Sequence, residues 1–141
     1  MRTLHFGLRV ADRPRALAFY EALGYQIVGE VPDTGMGHLT MIRLPEDEFV
    51  TIELVHDPNV RPTQGVQAVS GFSHFVTGVT SLDAVLTELA AHGIEAEAPT
   101  SPDGSAQFRT TWIVDPDGNR IELVQWPPGH ASGITTADWP S

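Results

Sequence analysis

The 141-residue chain has no cysteine, which excludes disulfides, thiolate metal sites and a cysteine nucleophile. It also has no lysine: all 8 basic residues are arginine, against 18 Asp and Glu, for a formal net charge of −10. A chain this acidic repels phosphate backbones, so nucleic acid is not an expected partner. No apolar run reaches the roughly 18–20 residues needed to cross a bilayer, so no membrane association is expected either. The opening Met1-Arg2-Thr3-Leu4-His5-Phe6 enters strand-like alternation at once and leaves no room for a signal peptide. The expected location is therefore cytoplasmic. What remains is ordinary globular composition, 41% hydrophobic and 18% charged, at a single-domain length.

The chain repeats itself. Setting His5 over His74 superposes Phe6 on Phe75, Val10 on Val79, Leu17 on Leu86 and Gly24 on Gly93. The same shift of 69 positions carries Ile52-Glu53-Leu54-Val55 onto Ile121-Glu122-Leu123-Val124 without a gap. A His and a Glu separated by 48 positions thus occur twice. Apolar matches alone arise easily by coincidence, whereas a recurring His with a recurring Glu does not.

Each copy reads as β-α-β-β-β, an α+β organisation. In the first, Leu4, Phe6, Leu8 and Val10 alternate as in a half-buried strand. Asp12 caps a helix that tolerates Pro14 in its first turn and stops at Gly24. Strands are expected near 25–30, 38–44 and 49–55, with turns at Pro32-Asp33-Thr34-Gly35 and Pro45-Glu46-Asp47. In the second, a strand over 73–79 precedes a helix capped by Ser81, striped with Leu82, Val85, Leu86 and Leu89, and closed by Gly93. Strands near 94–98, 107–114 and 120–126 follow. The Asp115-Pro116-Asp117-Gly118-Asn119 run reads as a tight turn with solvated carboxylates. The copies span about 4–56 and 73–126, giving one domain over 1–126. Residues 57–72 read as linker, and 127–141 as an extended tail that Trp139 can anchor.

Alternation along a strand sends Ile52 and Leu54 to one face and Glu53 to the other, and likewise Ile121 and Leu123 against Glu122. A carboxylate centred in an apolar strand is costly unless a cation compensates it. If the two copies pack as equivalents, His5, Glu53, His74 and Glu122 converge as two imidazoles and two carboxylates. Such a set suits one divalent ion, Zn, Ni, Co, Fe or Mn, with two positions left for water or substrate oxygens. The chemistry suggested is proton transfer next to a carbonyl, with the ion stabilising an enediolate and a carboxylate shuttling the proton. His38, His56, His92 and His130 lack this duplicated support, and His92 falls at a helix C-terminus. Arg9 reads equally as a substrate anion clamp or a strand-edge cation.

At these residues the chain resembles the vicinal oxygen chelate superfamily, also called the glyoxalase/bleomycin-resistance/dioxygenase family, and glyoxalase I within it. The similarity runs from about Leu4 to Gln125. It is carried by Leu4-His5-Phe6-Gly7-Leu8-Arg9-Val10, Ala18-Phe19-Tyr20-Glu21-Ala22-Leu23-Gly24-Tyr25, Thr51-Ile52-Glu53-Leu54, Gly71-Phe72-Ser73-His74 and Asp115-Pro116-Asp117-Gly118-Asn119-Arg120-Ile121-Glu122-Leu123. The resemblance implies paired βαβββ modules forming a cup, with one metal ion held by His5, Glu53, His74 and Glu122 in a site shared between the subunits of a homodimer. It implies a lyase that converts the hemithioacetal of methylglyoxal and a thiol such as glutathione to the 2-hydroxyacyl thioester. Glu122 would be the main base, Glu53 a ligand sharing that work, and nickel or cobalt the favoured ion. Arg9 matches an arginine that holds the γ-glutamyl end of glutathione, and Asp57 stands where the family often has a substrate-binding asparagine. Ser70 replaces a family arginine, and the lysines that grip the glycyl carboxylate are missing, leaving Arg109 to substitute. These departures leave the thiol carrier open. The alternatives within the superfamily are an epimerase, an iron dioxygenase, a thiol transferase or a metal-free drug-binding protein.

Overall fold

A computed structural model describes residues 3–48, 51–61 and 72–130. Residues 49–50, Ser70 and most of the expected linker, and the tail from 131 with Trp139, lie outside the described residues. By their contacts the residues fall into two compact units, one for each copy.

The first unit is built on β1 (Phe6–Val10), α1 (Arg13–Ala22), β2 (Gln26–Thr34), β3 (Gly37–Arg43) and β4 (Ile52–His56). Its sheet runs β1-β4-β3-β2, with β1 parallel to β4 and the other neighbours antiparallel. Asp12 caps α1 through a hydrogen bond from the Arg15 N–H, and Gly24 leaves the helix at φ 98°, as a left-handed stop requires. Leu8, Val10, Ile42, Ile52 and Leu54 are buried on the sheet, and Ala16, Leu17, Phe19 and Tyr20 on the helix. Each fully buried aliphatic side chain contributes about 1.5–3 kcal/mol.

The second unit is built on β5 (His74–Gly78), α2 (Leu82–Ala91), β6 (Arg109–Val114) and β7 (Arg120–Gln125), in the sheet order β5-β7-β6. Leu82, Leu89, Ile113, Ile121 and Leu123 form its core. The duplication is visible in the pairing itself. Gly7 pairs with Glu53 as Val76 pairs with Glu122, so the shift of 69 holds for both parallel ladders. On the antiparallel neighbours, Thr40 faces Leu54 as Thr111 faces Leu123, and 111 − 40 = 71. The second copy therefore has two more residues ahead of β6 and two fewer in the turn before β7.

Three expectations are corrected. Pro32 lies within β2 rather than in a turn, because β2 is the sheet edge, where a missing N–H costs nothing, and its register slips between Val31 and Thr34. Residues 94–98 form no strand; only the Glu97 N–H to Trp112 carbonyl bond (2.9 Å) and the Thr100–Thr110 bridge remain of a ladder. Pro99 donates no hydrogen bond there, and the segment is rich in alanine, which packs weakly on a sheet. Finally, Asp115–Gly118 is the expected tight turn, closed by the Gly118 N–H to Asp115 carbonyl bond at 3.1 Å, but its carboxylates are not solvated, and it belongs with the first unit. Asp115 is 4% exposed and accepts from Tyr20 Oη, and Asp117 Oδ1 accepts from the Ala11 N–H at 2.9 Å.

Candidate functional site

Strand alternation assigns the functional side chains to faces. On β1, Leu8 and Val10 are buried while His5, Gly7 and Arg9 are exposed on the opposite face. On β4, Ile52 and Leu54 are buried toward the helix side and Glu53 shares the face of His5. The result is a His5 Nε2 to Glu53 Oε2 separation of 3.7 Å. Gly7 lies between His5 and Arg9, opposite Glu53. A Cβ there would stand 3.9 Å from Glu53 Oε1, so the glycine keeps the face open beside the carboxylate.

The second unit repeats this pair. His74 Nε2 lies 3.9 Å from Glu122 Oε2. Its surroundings are more elaborate. Thr110 Oγ1 donates to Glu122 Oε1 at 2.6 Å. His74 Nδ1 lies 2.9 Å from Ser73 Oγ and the ring meets Trp112 edge-on, with centroids 4.8 Å apart. The Arg120 guanidinium stacks on Trp112 at 4.1 Å and bonds Glu97 Oε1 at 3.2 Å. Thr110, Trp112 and Arg120 were not identified from sequence. The signal for them is that β6 alternates so that residues 110 and 112 share the face of Glu122, but Thr110 has no repeated hydroxyl to single it out in a repeat alignment.

Both His–Glu separations are too long for a hydrogen bond. They suit two ligands of one ion, since donors about 2.1 Å from a common metal stand no more than about 4.2 Å apart. Nitrogen and carboxylate oxygen are also the donor types a borderline divalent ion takes. Among the described residues no three His, Asp or Glu side chains gather at one point; the four expected residues stand as two His–Glu pairs, one in each unit.

The other expected residues fall as follows. Arg9 is exposed on the face of His5 and Glu53 and forms no ion pair among the described residues. Asp57 follows β4, and its Oδ1 accepts from the Asn59 backbone N–H at 2.9 Å and from Asn59 Nδ2 at 3.0 Å. Arg109 is corrected: it points to the helix face and bonds Asp83 Oδ1 at 2.9 Å, because it alternates with Trp112 and Thr110 along β6. His92 is the C-cap of α2, and His38 meets Glu30 at 3.5 Å on the helix face. No helix among the described residues is long and apolar enough to cross a membrane.

Residues 2–123 match the Glyoxalase/Bleomycin resistance protein/Dioxygenase superfamily, and the chain belongs to that family. A probable lactoylglutathione lyase of Synechocystis is 28% identical over 129 residues, covering 89% of this chain and 95% of the relative. A probable chloroplastic lactoylglutathione lyase of Arabidopsis thaliana is 28% identical over 130 residues. The match covers 90% of this chain but only 36% of that longer relative. Among solved structures, the trypanothione-dependent glyoxalase I of Leishmania major superposes with a TM-score of 0.70 at 25% identity, covering 89% of this chain and 86% of that one.

Proposed function

We propose that the protein is a metal-dependent lyase of the glyoxalase I type, converting the hemithioacetal of a 2-oxoaldehyde and a thiol to the 2-hydroxyacyl thioester. The observation that carries this reading is the His–Glu pair occurring twice at one strand register. The similarity to proteins named lactoylglutathione lyase supports it. His5, Glu53, His74 and Glu122 would hold one divalent ion, nickel or cobalt by preference, in a site completed within a homodimer. The functional unit is the single domain of residues 1–126, working in the cytoplasm.

A divalent ion held there supplies Lewis-acid stabilisation of the oxygen charge that develops during the reaction. The protein's own residues move the proton. The Glu122 carboxylate takes it from the hemithioacetal carbon and returns it to the adjacent former carbonyl carbon, with Glu53 sharing the work. No atom is lost and no net oxidation occurs. Arg9 receives an anionic end of the thiol carrier on the same face, and Asp57, which follows β4, contacts the carrier elsewhere as an acceptor for an N–H or O–H group. With no lysine in the chain and Arg109 turned to α2, the carrier is held by fewer cations than glutathione's two carboxylates invite. A carrier less anionic than glutathione fits this face better.

The test is isomerase activity on the methylglyoxal–glutathione hemithioacetal after reconstitution of metal-free protein with nickel, cobalt, zinc or manganese separately. Activity with one ion, abolished by Glu122→Gln, supports the proposal. Tight metal binding without turnover redirects the search to other thiol carriers. Failure to bind any of the four ions overturns the proposal.

A further inference from the structure

The two ligand pairs match in register but not in support, and the difference is concentrated at one side chain. Thr110 is 8% exposed on β6, directly opposite Val124 and two positions before Trp112, which stands opposite Glu122 on the same face. Its hydroxyl donates to Glu122 Oε1 at 2.6 Å, which leaves Oε2 as the oxygen nearer His74 Nε2. In the first unit the matching position, opposite Val55, is Leu39, and Met41 stands where the second unit has Trp112. Neither Leu39 nor Met41 has an O–H or side-chain N–H to offer Glu53.

We propose that Thr110 is a positioning residue for Glu122: its hydroxyl holds one carboxylate oxygen so that the other is presented toward His74 and the ion the pair would share. The inference rests on the proposed metal site. The Thr110 backbone is fixed independently, since it exchanges both N–H and carbonyl bonds with Thr100 at 2.9 Å. The donor is thus placed by main chain rather than by the carboxylate it serves. A carboxylate held this way loses less rotamer freedom on binding an ion, and outer partners of this kind typically contribute 10–100-fold in metal affinity. Glu53 has no such partner on β3, so the two carboxylates differ in how far each is fixed in advance.

The experiment compares wild type with Thr110→Val and Thr110→Ser. Valine keeps the β-branched shape and removes only the hydroxyl, whereas serine retains it. Nickel and zinc affinities are measured by competition with a chromophoric chelator, and metal-free unfolding is followed in urea as the control. Thr110→Val should bind the ion at least about tenfold more weakly and Thr110→Ser should recover most of that loss. Active protein should show the same order in kcat, with KM little changed. Equal metal affinity in wild type and Thr110→Val overturns the inference while leaving the metal site standing. Equal weakening in both variants also overturns it, because the hydroxyl would then not be the cause. A wild type that binds neither ion overturns the metal site and the inference with it.

Discussion

Tyr20 Oη donates to Asp115 Oδ2 at 2.7 Å, joining residues 95 positions apart. The tyrosine is completely buried, and its ring packs edge-on against both Phe19 and Tyr25, at centroid distances of 5.3 and 5.6 Å. Burial, reinforced by the Asp115 charge, pushes its hydroxyl far above the ordinary phenol range, so it stays a donor. Tyr20→Phe should keep the aromatic packing and leave Asp115 short of one partner. The expected cost is about 1–3 kcal/mol in urea unfolding. Metal affinity should be unchanged.

Asp117 gives a pH-dependent signature. Burial is the largest influence on its carboxyl and raises its pKa; the Ala11 N–H bond opposes this and Asp115 adds to it. A folded pKa above the unfolded one means that the native state holds the proton more tightly. The associated stability is present at low pH and is lost as pH rises through the folded value. Asp117→Asn, which keeps an acceptor for Ala11, should therefore be the more stable protein at pH 7. That advantage should shrink as pH falls through the carboxylate range, as unfolding curves at several pH values will show.

Gly37 begins β3 at φ 113°, and an added Cβ would lie 2.3 Å from the His56 carbonyl oxygen. The obstacle is backbone and cannot swing away. Gly37→Ala should cost at least about 2 kcal/mol, measured as a drop in the urea midpoint.

Alternation separates Arg9, exposed on the face of Glu53, from Arg109, the expected stand-in for the missing lysines, which turns to the helix side. On the proposed reading, Arg9→Ala should raise KM about tenfold with little change in kcat, the pattern of lost uniform binding. Arg109→Ala should leave KM unaltered, because its guanidinium is engaged with Asp83 on the helix side. Steady-state kinetics on the hemithioacetal distinguish the two.

A ligand that binds only the folded protein also stabilises it. If the four ligands act together, metal at about one hundred times its Kd should add about 2.7 kcal/mol to unfolding. Glu53→Gln and Glu122→Gln should each remove most of that increment. Calorimetry with and without nickel measures it.

The sequence exposed the elements with strong local chemistry. Asp12, Ser81, Gly24 and Gly93 announce where the helices begin and end, and the structure places both caps and both positive-φ glycines there. The His–Glu spacing exposed two pairs because parallel register is the same in both copies. What sequence could not show depends on partners far along the chain. Pro32 reads as a turn until β2 is known to be an edge strand. The Asp-Pro-Asp-Gly run reads as solvated until Tyr20 and Ala11 are found against it. Thr110 was hidden because it has no repeated hydroxyl: it falls on Met41 under the shift of 69 and on Leu39 in the sheet register.

The allegiance of Asp115–Gly118 bears on how the chain can be divided. The composition break after β4 looks like the place to cut, yet a piece ending there would carry Tyr20 and Ala11 without the carboxylates that answer them. The halves of this duplication are therefore not interchangeable modules. A split-protein pair cut in the 57–72 segment should regain a native Tyr20 environment only when the second piece, bringing its short loop, is supplied in trans.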